Sequence, residues 1–330
     1  MRASSIICTI DLNGDGVQHG HLQLPHSRDD SAWGSLMIPI TVAKNGDGPT
    51  VLVTGANHGD EYEGPLALVD LAATLKTADL SGRVILLPFM NLPAFVAGKR
   101  TSPIDGGNMN RAFPGRPDGT ITEKVADYFQ RYLLPMADIV LDFHSGGSTL
   151  DFLPFAASHV LDDKDQEARC CAARDAFNAP FSMQMLEIDS AGMYDNAAES
   201  LGKTFVTTEI SGGGRSTPQS VAIARKGLRN LLIHAGVLGG EMEQVPTCHL
   251  SQTDPACFHF SPTGGMVEFA KSLGDAVAKG DLLARIWNVE QTGQPPLEVR
   301  AKTQGLLVTC HAKGLIQIGD CLAVLAQKYT

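Results

Sequence analysis

The stretch that most constrains the fold is Val51-Leu-Val-Thr-Gly-Ala-Asn-His-Gly-Asp-Glu-Tyr-Glu-Gly64. Val51, Leu52 and Val53 form a short apolar run that predicts a buried strand. Thr54-Gly55-Ala56-Asn57 breaks that strand. After Gly64-Pro65, the apolar residues Leu66, Leu68, Val69, Leu71, Ala72 and Leu75 recur at helical spacing. A chain that passes from strand through turn to helix in this way is of the α/β class. The turn lies at the strand's carboxyl end, the edge at which open α/β sheets bind ligands. His58 and Glu61 stand in that turn, close enough in sequence for imidazole and carboxylate to face one point.

A His-x-x-Glu pair is short, and most chance occurrences are surface pairs on a helix. A second segment adds weight: Asp138-Ile-Val-Leu-Asp-Phe-His144-Ser-Gly-Gly147 is another apolar strand that ends in a histidine and glycines. Two histidines and one glutamate are a catalytic zinc set that leaves the fourth position to water. With zinc on His58, Glu61 and His144, one ion per chain, bound water ionises near pH ~7. Attack on a carbonyl also needs a general base. Glu209 ends the apolar strand Thr204-Phe-Val-Thr-Thr-Glu-Ile210 and precedes Ser211-Gly-Gly-Gly-Arg215, so it can project into an open cleft. Alone it reads as a surface carboxylate; at the same sheet edge as a zinc cleft it is the candidate base. The developing oxyanion needs a donor. Arg100 and Arg111, on an aperiodic stretch, are the candidates, one for the oxyanion and one for bidentate capture of a substrate carboxylate.

Composition narrows the partners. The 330 residues are 43% hydrophobic and 19% charged, as in an ordinary globular protein, with room for one large domain or a large plus a small one. The formal charge, 26 − 36 = −10, argues against nucleic acid and anionic membranes. No apolar run approaches the ~20 residues of a membrane span. Met1 to Cys8 lacks a signal-peptide core, so a cytoplasmic location is expected. The seven cysteines show no Cys-x-x-Cys spacing and read as reduced thiols rather than metal ligands.

Residues 1–35 read as loops and short edge strands, with His19, His21 and His26 as polar surface groups. Leu36–Val42 reads as a strand, and Pro39 favours an edge. Strand, helix at about 63–76 and strand Arg83–Phe89 make a βαβ unit with a parallel pair. Residues 91–117 show no periodicity. Thr120 can cap a helix over 121–134. A strand is expected at Asp151–Phe155 and helices at 163–177, 193–201 and 218–237. The polar run Glu241–Pro246 divides a catalytic domain, 1–245, from a module, 246–330. That module holds an internal repeat, with glycines at 265, 274 and 280 and again at 305, 314 and 319. The pattern resembles a biotinyl/lipoyl carrier barrel. The hairpin Trp287–Gly293 has no attachment lysine, so packing against the catalytic domain or another subunit is expected instead.

His58-Gly-Asp-Glu61, Asn108-Met-Asn-Arg111-Ala-Phe-Pro-Gly115, Asp142-Phe-His144 and Thr208-Glu209 resemble the succinylglutamate desuccinylase/aspartoacylase family, itself related to zinc carboxypeptidases. Gly14–Gly20, Ser27–Gly34 and Asn57–Gly64 look closest to the subgroup of N-α-acetyl-L-2,4-diaminobutyrate deacetylases of ectoine breakdown. The resemblance implies zinc on His58, Glu61 and His144, Glu209 as base, Arg111 with Asn110 on the substrate α-carboxylate, and Arg100 assisting the oxyanion. It implies an α/β fold: a mixed, mostly parallel sheet with helices on both faces, plus a barrel-like β-module. The expected reaction is zinc-dependent removal of acetyl from a small amino acid by a homo-oligomeric enzyme. Other N-acyl-amino-acid hydrolysis or carboxypeptidase activity is the alternative. A side-chain ammonium on the substrate calls for a carboxylate, with Asp105, Asp189 and Asp195 as candidates.

Overall fold

The computed structural model describes residues 3–186 and 191–329. Its centre is a parallel set of strands in the spatial order Gly82–Leu87, Thr50–Thr54, Ile139–Asp142 and Thr204–Glu209. Their side chains alternate between two buried faces. Leu52, Ile85, Val140 and Phe205 pack under the helices Ile121–Tyr128 and Tyr194–Glu199. Val51, Val53, Leu86 and Val206 pack under Glu63–Thr74, Lys164–Phe177 and Pro218–His234. Burial on both faces explains why these strands are continuous apolar runs in the sequence. The expected mixed sheet with helices on both faces is present. Thr54 stands opposite both Leu87 and Asp142, so three strands end level at one edge, and the Thr204–Glu209 strand, with Thr207 opposite Asp142, runs two residues further to Glu209.

Several expectations need correction. The N-terminal region has one short edge strand, Ile7–Cys8, as expected, but also a long strand: Gly16–Pro25 is paired along its whole length with Ser35–Asn45. Its Gly- and His-rich sequence gives a weak local signal; cross-strand pairing and the inward Leu22 and Leu24 supply the rest. Pro39 lies in a strand that has neighbours on both sides, but pairing to Gly82–Leu87 begins only at Thr41. On that side its missing N–H therefore costs no ladder bond. The stretch 91–117 contains a helix, Leu92–Ala97, and a 3₁₀ turn, Met109–Arg111, both too short to show a period. Thr120 caps the helix at Ile121 in a reciprocal box with Glu123. The strand expected at Asp151–Phe155 is split at Pro154 into Leu150–Phe152 and Phe155–His159.

The main sheet continues into the C-terminal region. Cys248–Gln252 lies parallel to Phe181–Met185 and antiparallel to Cys321–Lys328, which pairs in turn with Gly305–His311. A separate antiparallel sheet, Leu297–Arg300, Leu282–Trp287, Gly265–Phe269 and Leu315–Ile316, faces this extension across a core that includes Leu283, Ile286, Leu307 and Leu325. The expected barrel does not close. Gly305–His311 pairs with Leu150–Phe152, and Cys321–Lys328 with Cys248–Gln252, rather than with the four-stranded sheet. Among the described residues no helix is long and apolar enough to cross a membrane.

Candidate active site

His58 leaves the Thr50–Thr54 strand through a turn in which Ala56 has φ 51°, a left-handed conformation that a residue with a Cβ rarely adopts. Such strain is held by surrounding bonds. Here the amides of Met90 and Asn91 donate to the carbonyls of Gly55 and Ala56. Gly59 lies so close to the Leu92–Ala97 helix that an added Cβ would meet the Ala94 carbonyl carbon at 2.0 Å. That contact sets His58 beside Arg100. Glu61 follows just before the helix at Glu63. His144 follows the Ile139–Asp142 strand, and Thr208 clamps it: the His144 amide donates to Thr208 Oγ1, which donates back to the His144 carbonyl.

The polar contacts decide which ring nitrogens face inward. Asn108 Oδ1 accepts from the Asn110 amide, which identifies it as oxygen, so His58 Nε2, 3.2 Å away, must donate to it. Asp142 accepts from Thr54 Oγ1 at 2.6 Å, Asn57 Nδ2 at 2.9 Å and His144 Nε2 at 2.8 Å. Both imidazoles therefore turn Nδ1 toward Glu61, whose oxygens stand 2.8 Å from His58 Nδ1 and 3.0 Å from His144 Nδ1. Ligand atoms of His58, Glu61 and His144 lie within 4.8 Å of one another, and these three residues can hold a metal ion. Converging lone pairs on two nitrogens and a carboxylate repel unless a cation or proton lies between them. A borderline-soft divalent ion suits this nitrogen and oxygen set.

The protein's own charges fit the same arrangement. Burial keeps His58 below its ordinary value, and so neutral. Burial alone would also depress His144, but the Asp142 and Glu61 carboxylates reverse this and raise it well above the usual imidazole range. Burial works against ionised Glu61, yet His58 and His144 hold its carboxyl below the normal range. Glu209 has the opposite environment. Burial, and then the charge of Glu61, push it up to about 8, and its Oε2 is buried without a hydrogen-bond partner.

His58, Glu61, His144, Glu209, Arg100, Asn110 and Arg111 all line one cavity of about 520 Å³. Arg100 Nη1 donates to His58 Nδ1 at 3.2 Å and stands 3.9 Å from Glu61. Arg111 is anchored by Nη1 on the Asn110 carbonyl at 2.7 Å. Asn110 Oδ1 accepts from the Tyr194 amide, which leaves the Asn110 Nδ2 group to serve a ligand. The histidines His19, His21 and His26 join no metal-capable group among the described residues. Of the carboxylates expected for an ammonium, Asp195 lines the cavity. Asp105 does not; both its oxygens are engaged by Thr122 and Gly107 at the start of the Ile121 helix. Asp189 lies outside the described residues.

Sequence reading missed two groups. One is Asp142, whose position two residues before His144 on a buried strand end marks it as the partner of that imidazole. Phe258, Phe260, Thr309, Cys321 and Val324 reach the cavity from the C-terminal region, and nothing local in the sequence marks them.

Residues 47–235 match the model of the succinylglutamate desuccinylase/aspartoacylase catalytic domain. The chain is 50% identical over 328 residues to the N-α-acetyl-L-2,4-diaminobutyric acid deacetylase of Halomonas elongata, covering 99% of this chain and 96% of that one. It superposes on the product-bound ectoine utilization protein EutE (DoeB) of Ruegeria pomeroyi with a TM-score of 0.98 and 62% identity, over 99% of this chain and 100% of that one. A succinylglutamate desuccinylase from a Silicibacter species gives a TM-score of 0.97 and 59% identity, with 100% of both chains covered. The chain belongs to the succinylglutamate desuccinylase/aspartoacylase family.

Proposed function

We propose that this protein is a zinc-dependent deacetylase that hydrolyses N-α-acetyl-L-2,4-diaminobutyrate to acetate and L-2,4-diaminobutyrate in ectoine catabolism, in the cytoplasm. The observation that carries the reading is the convergence of His58, Glu61 and His144 with Glu209 and two arginines in a single cavity. The name borne by the Halomonas relative supplies the substrate, and that of the Ruegeria protein supplies ectoine utilization as the setting.

Zinc, held by His58, Glu61 and His144, would supply Lewis acidity at the scissile carbonyl and make water acidic near pH ~7. The chain's own groups divide the remaining work. Arg111 and the Asn110 amide hold the α-carboxylate and fix the register of the substrate. Glu209 accepts a proton from the attacking water and returns it to the leaving α-nitrogen, so the C–N bond breaks with a neutral amine departing. The charge of bound zinc would offset Glu61 and leave Glu209 ionised, ready to take that proton. Arg100 donates toward the oxyanion that forms as water adds. The rings of Phe152, Phe155 and Phe258 give the cavity an apolar wall, beside which such charged contacts are screened less than in water.

The test is a side-by-side assay of zinc-loaded protein with N-α-acetyl-L-2,4-diaminobutyrate, N-acetylaspartate and N-succinylglutamate. The first should have the highest kcat/KM. A highest value for either dicarboxylate overturns the substrate assignment and leaves an acyl-amino-acid hydrolase.

A further inference from the structure

Among the described residues, the acidic side chains on the cavity wall are Glu61, Asp142, Asp195 and Glu209. The first faces two imidazoles, the second carries the hydrogen bonds of Thr54, Asn57 and His144, and the last is the candidate base. Asp195 has no part in this machinery, yet it is 7% exposed and opens onto the same space. One oxygen accepts from the adjacent Asn196 amide at 2.6 Å. The other is 3.9 Å from His159 Nε2, in a ring that Glu199 holds at 2.9 Å through Nδ1. Placing a carboxylate in such a recess is costly unless a cation meets it. Burial raises the Asp195 carboxyl despite the opposing influence of His159, consistent with a charge that lacks full compensation.

Its position relative to the carboxylate-binding residues is fixed. Asn110 Oδ1 grips the amide of Tyr194, the residue before Asp195. Gly192 packs so tightly on Arg111 that a Cβ would come within 2.6 Å of its carbonyl oxygen. One short segment thus ties Arg111, Asn110 and Asp195 into a single frame. A cation on one arm and a carboxylate on the other match an amino acid whose side chain ends in an ammonium.

We propose that Asp195 is the specificity-determining residue that receives the side-chain ammonium of the substrate, selecting diamino acids over dicarboxylic ones. This rests on the substrate reading above. Met185, Leu186, Met193 and Phe205 on the same wall are apolar, so the carboxylate of Asp195 is the anionic partner beside them among the described residues.

The experiment compares N-α-acetyl-L-2,4-diaminobutyrate with N-α-acetyl-L-2-aminobutyrate, which differs only in lacking the ammonium. Wild-type protein should favour the charged compound by roughly 10² or more in kcat/KM, since a site built to pair a polar group penalises its absence. In Asp195→Asn that ratio should collapse to within about tenfold of unity, mainly through KM. A wild-type ratio near one overturns both the substrate reading and this assignment. A large wild-type ratio that survives in Asp195→Asn, even with lower overall activity, overturns the assignment of Asp195 alone. If the Asn variant does not fold, Asp195→Glu decides. Its carboxylate reaches one methylene further, so preference should shift toward N-α-acetyl-L-2,3-diaminopropionate; an unshifted preference overturns the proposal.

Discussion

Asp142→Asn tests whether the negative charge of its neighbour strengthens His144 as a metal ligand. Asp142 is 1% exposed and takes three donors, Thr54 Oγ1, Asn57 Nδ2 and His144 Nε2. A carboxamide can satisfy only some of them. With its NH₂ toward Asn57 and His144, two donors face a donor, unless His144 shifts its proton to Nδ1 and loses the lone pair that a metal needs. With its NH₂ toward Thr54, the hydroxyl can rotate to accept, and the imidazole keeps its orientation but loses the anion that raises its basicity. The second arrangement costs less and should prevail. Partners of metal-bound histidines of this kind are typically worth ~10–100-fold in affinity, or about 1.4–2.8 kcal/mol. Competition with a chelator of known zinc affinity, on protein whose circular dichroism matches wild type, measures this. Affinity within threefold of wild type would refute the argument that the charge of Asp142 strengthens His144 as a metal ligand.

Two further perturbations address the same centre. Glu209→Gln should keep metal and fold while losing ~10²–10⁴ in kcat; near-normal turnover in a zinc-loaded variant removes Glu209 as the base. Zinc binding to chelator-stripped protein at pH 7 should release between one and two protons. His144, raised well above the usual imidazole range, must give up its Nδ1 proton, and Glu209, at about 8, loses its own as the new positive charge offsets Glu61. His58 is already neutral and contributes none. Affinity should therefore rise with pH through neutrality. Calorimetry in buffers of different ionisation enthalpy counts the protons, and zero release at pH 7 contradicts these assignments.

What was legible in the sequence was whatever a short segment determines alone. Val51–Val53 and Ile139–Leu141 are apolar because both their faces are buried, so their polar ends at His58 and His144 stand out. Thr120 caps the helix at Ile121 as its place before the apolar run suggests, and Glu123 completes the cap from within the first turn. The helix Leu92–Ala97 was not legible: six residues span too few turns for a period, and the signals at its ends, Asn91 and the left-handed Gly98, were present but not read. Gly16–Pro25 was misread because its stability comes from the neighbouring strand. Asp195 was visible as a candidate but not separable from Asp105, since the Thr122 contacts that engage Asp105 belong to tertiary structure.

The C-terminal region shows the limit most clearly. Its repeat was readable as an all-β unit, and packing against the catalytic domain was one expectation; the structure supplies the contact. Gly305–His311 pairs with Leu150–Phe152, the segment that follows His144 and its glycines. The amide of Ala312 donates to the Thr149 carbonyl at 2.8 Å, and that of Leu153 to the Val308 carbonyl at 2.9 Å. The loop after the metal-facing histidine is thus held by a strand far along the chain, while Phe258, Phe260 and Val324 form part of the cavity wall. That wall is apolar, and a charge beside it is screened less than one in water. The C-terminal strands thus contribute to the electrostatics of a cavity whose charged residues all lie earlier in the chain.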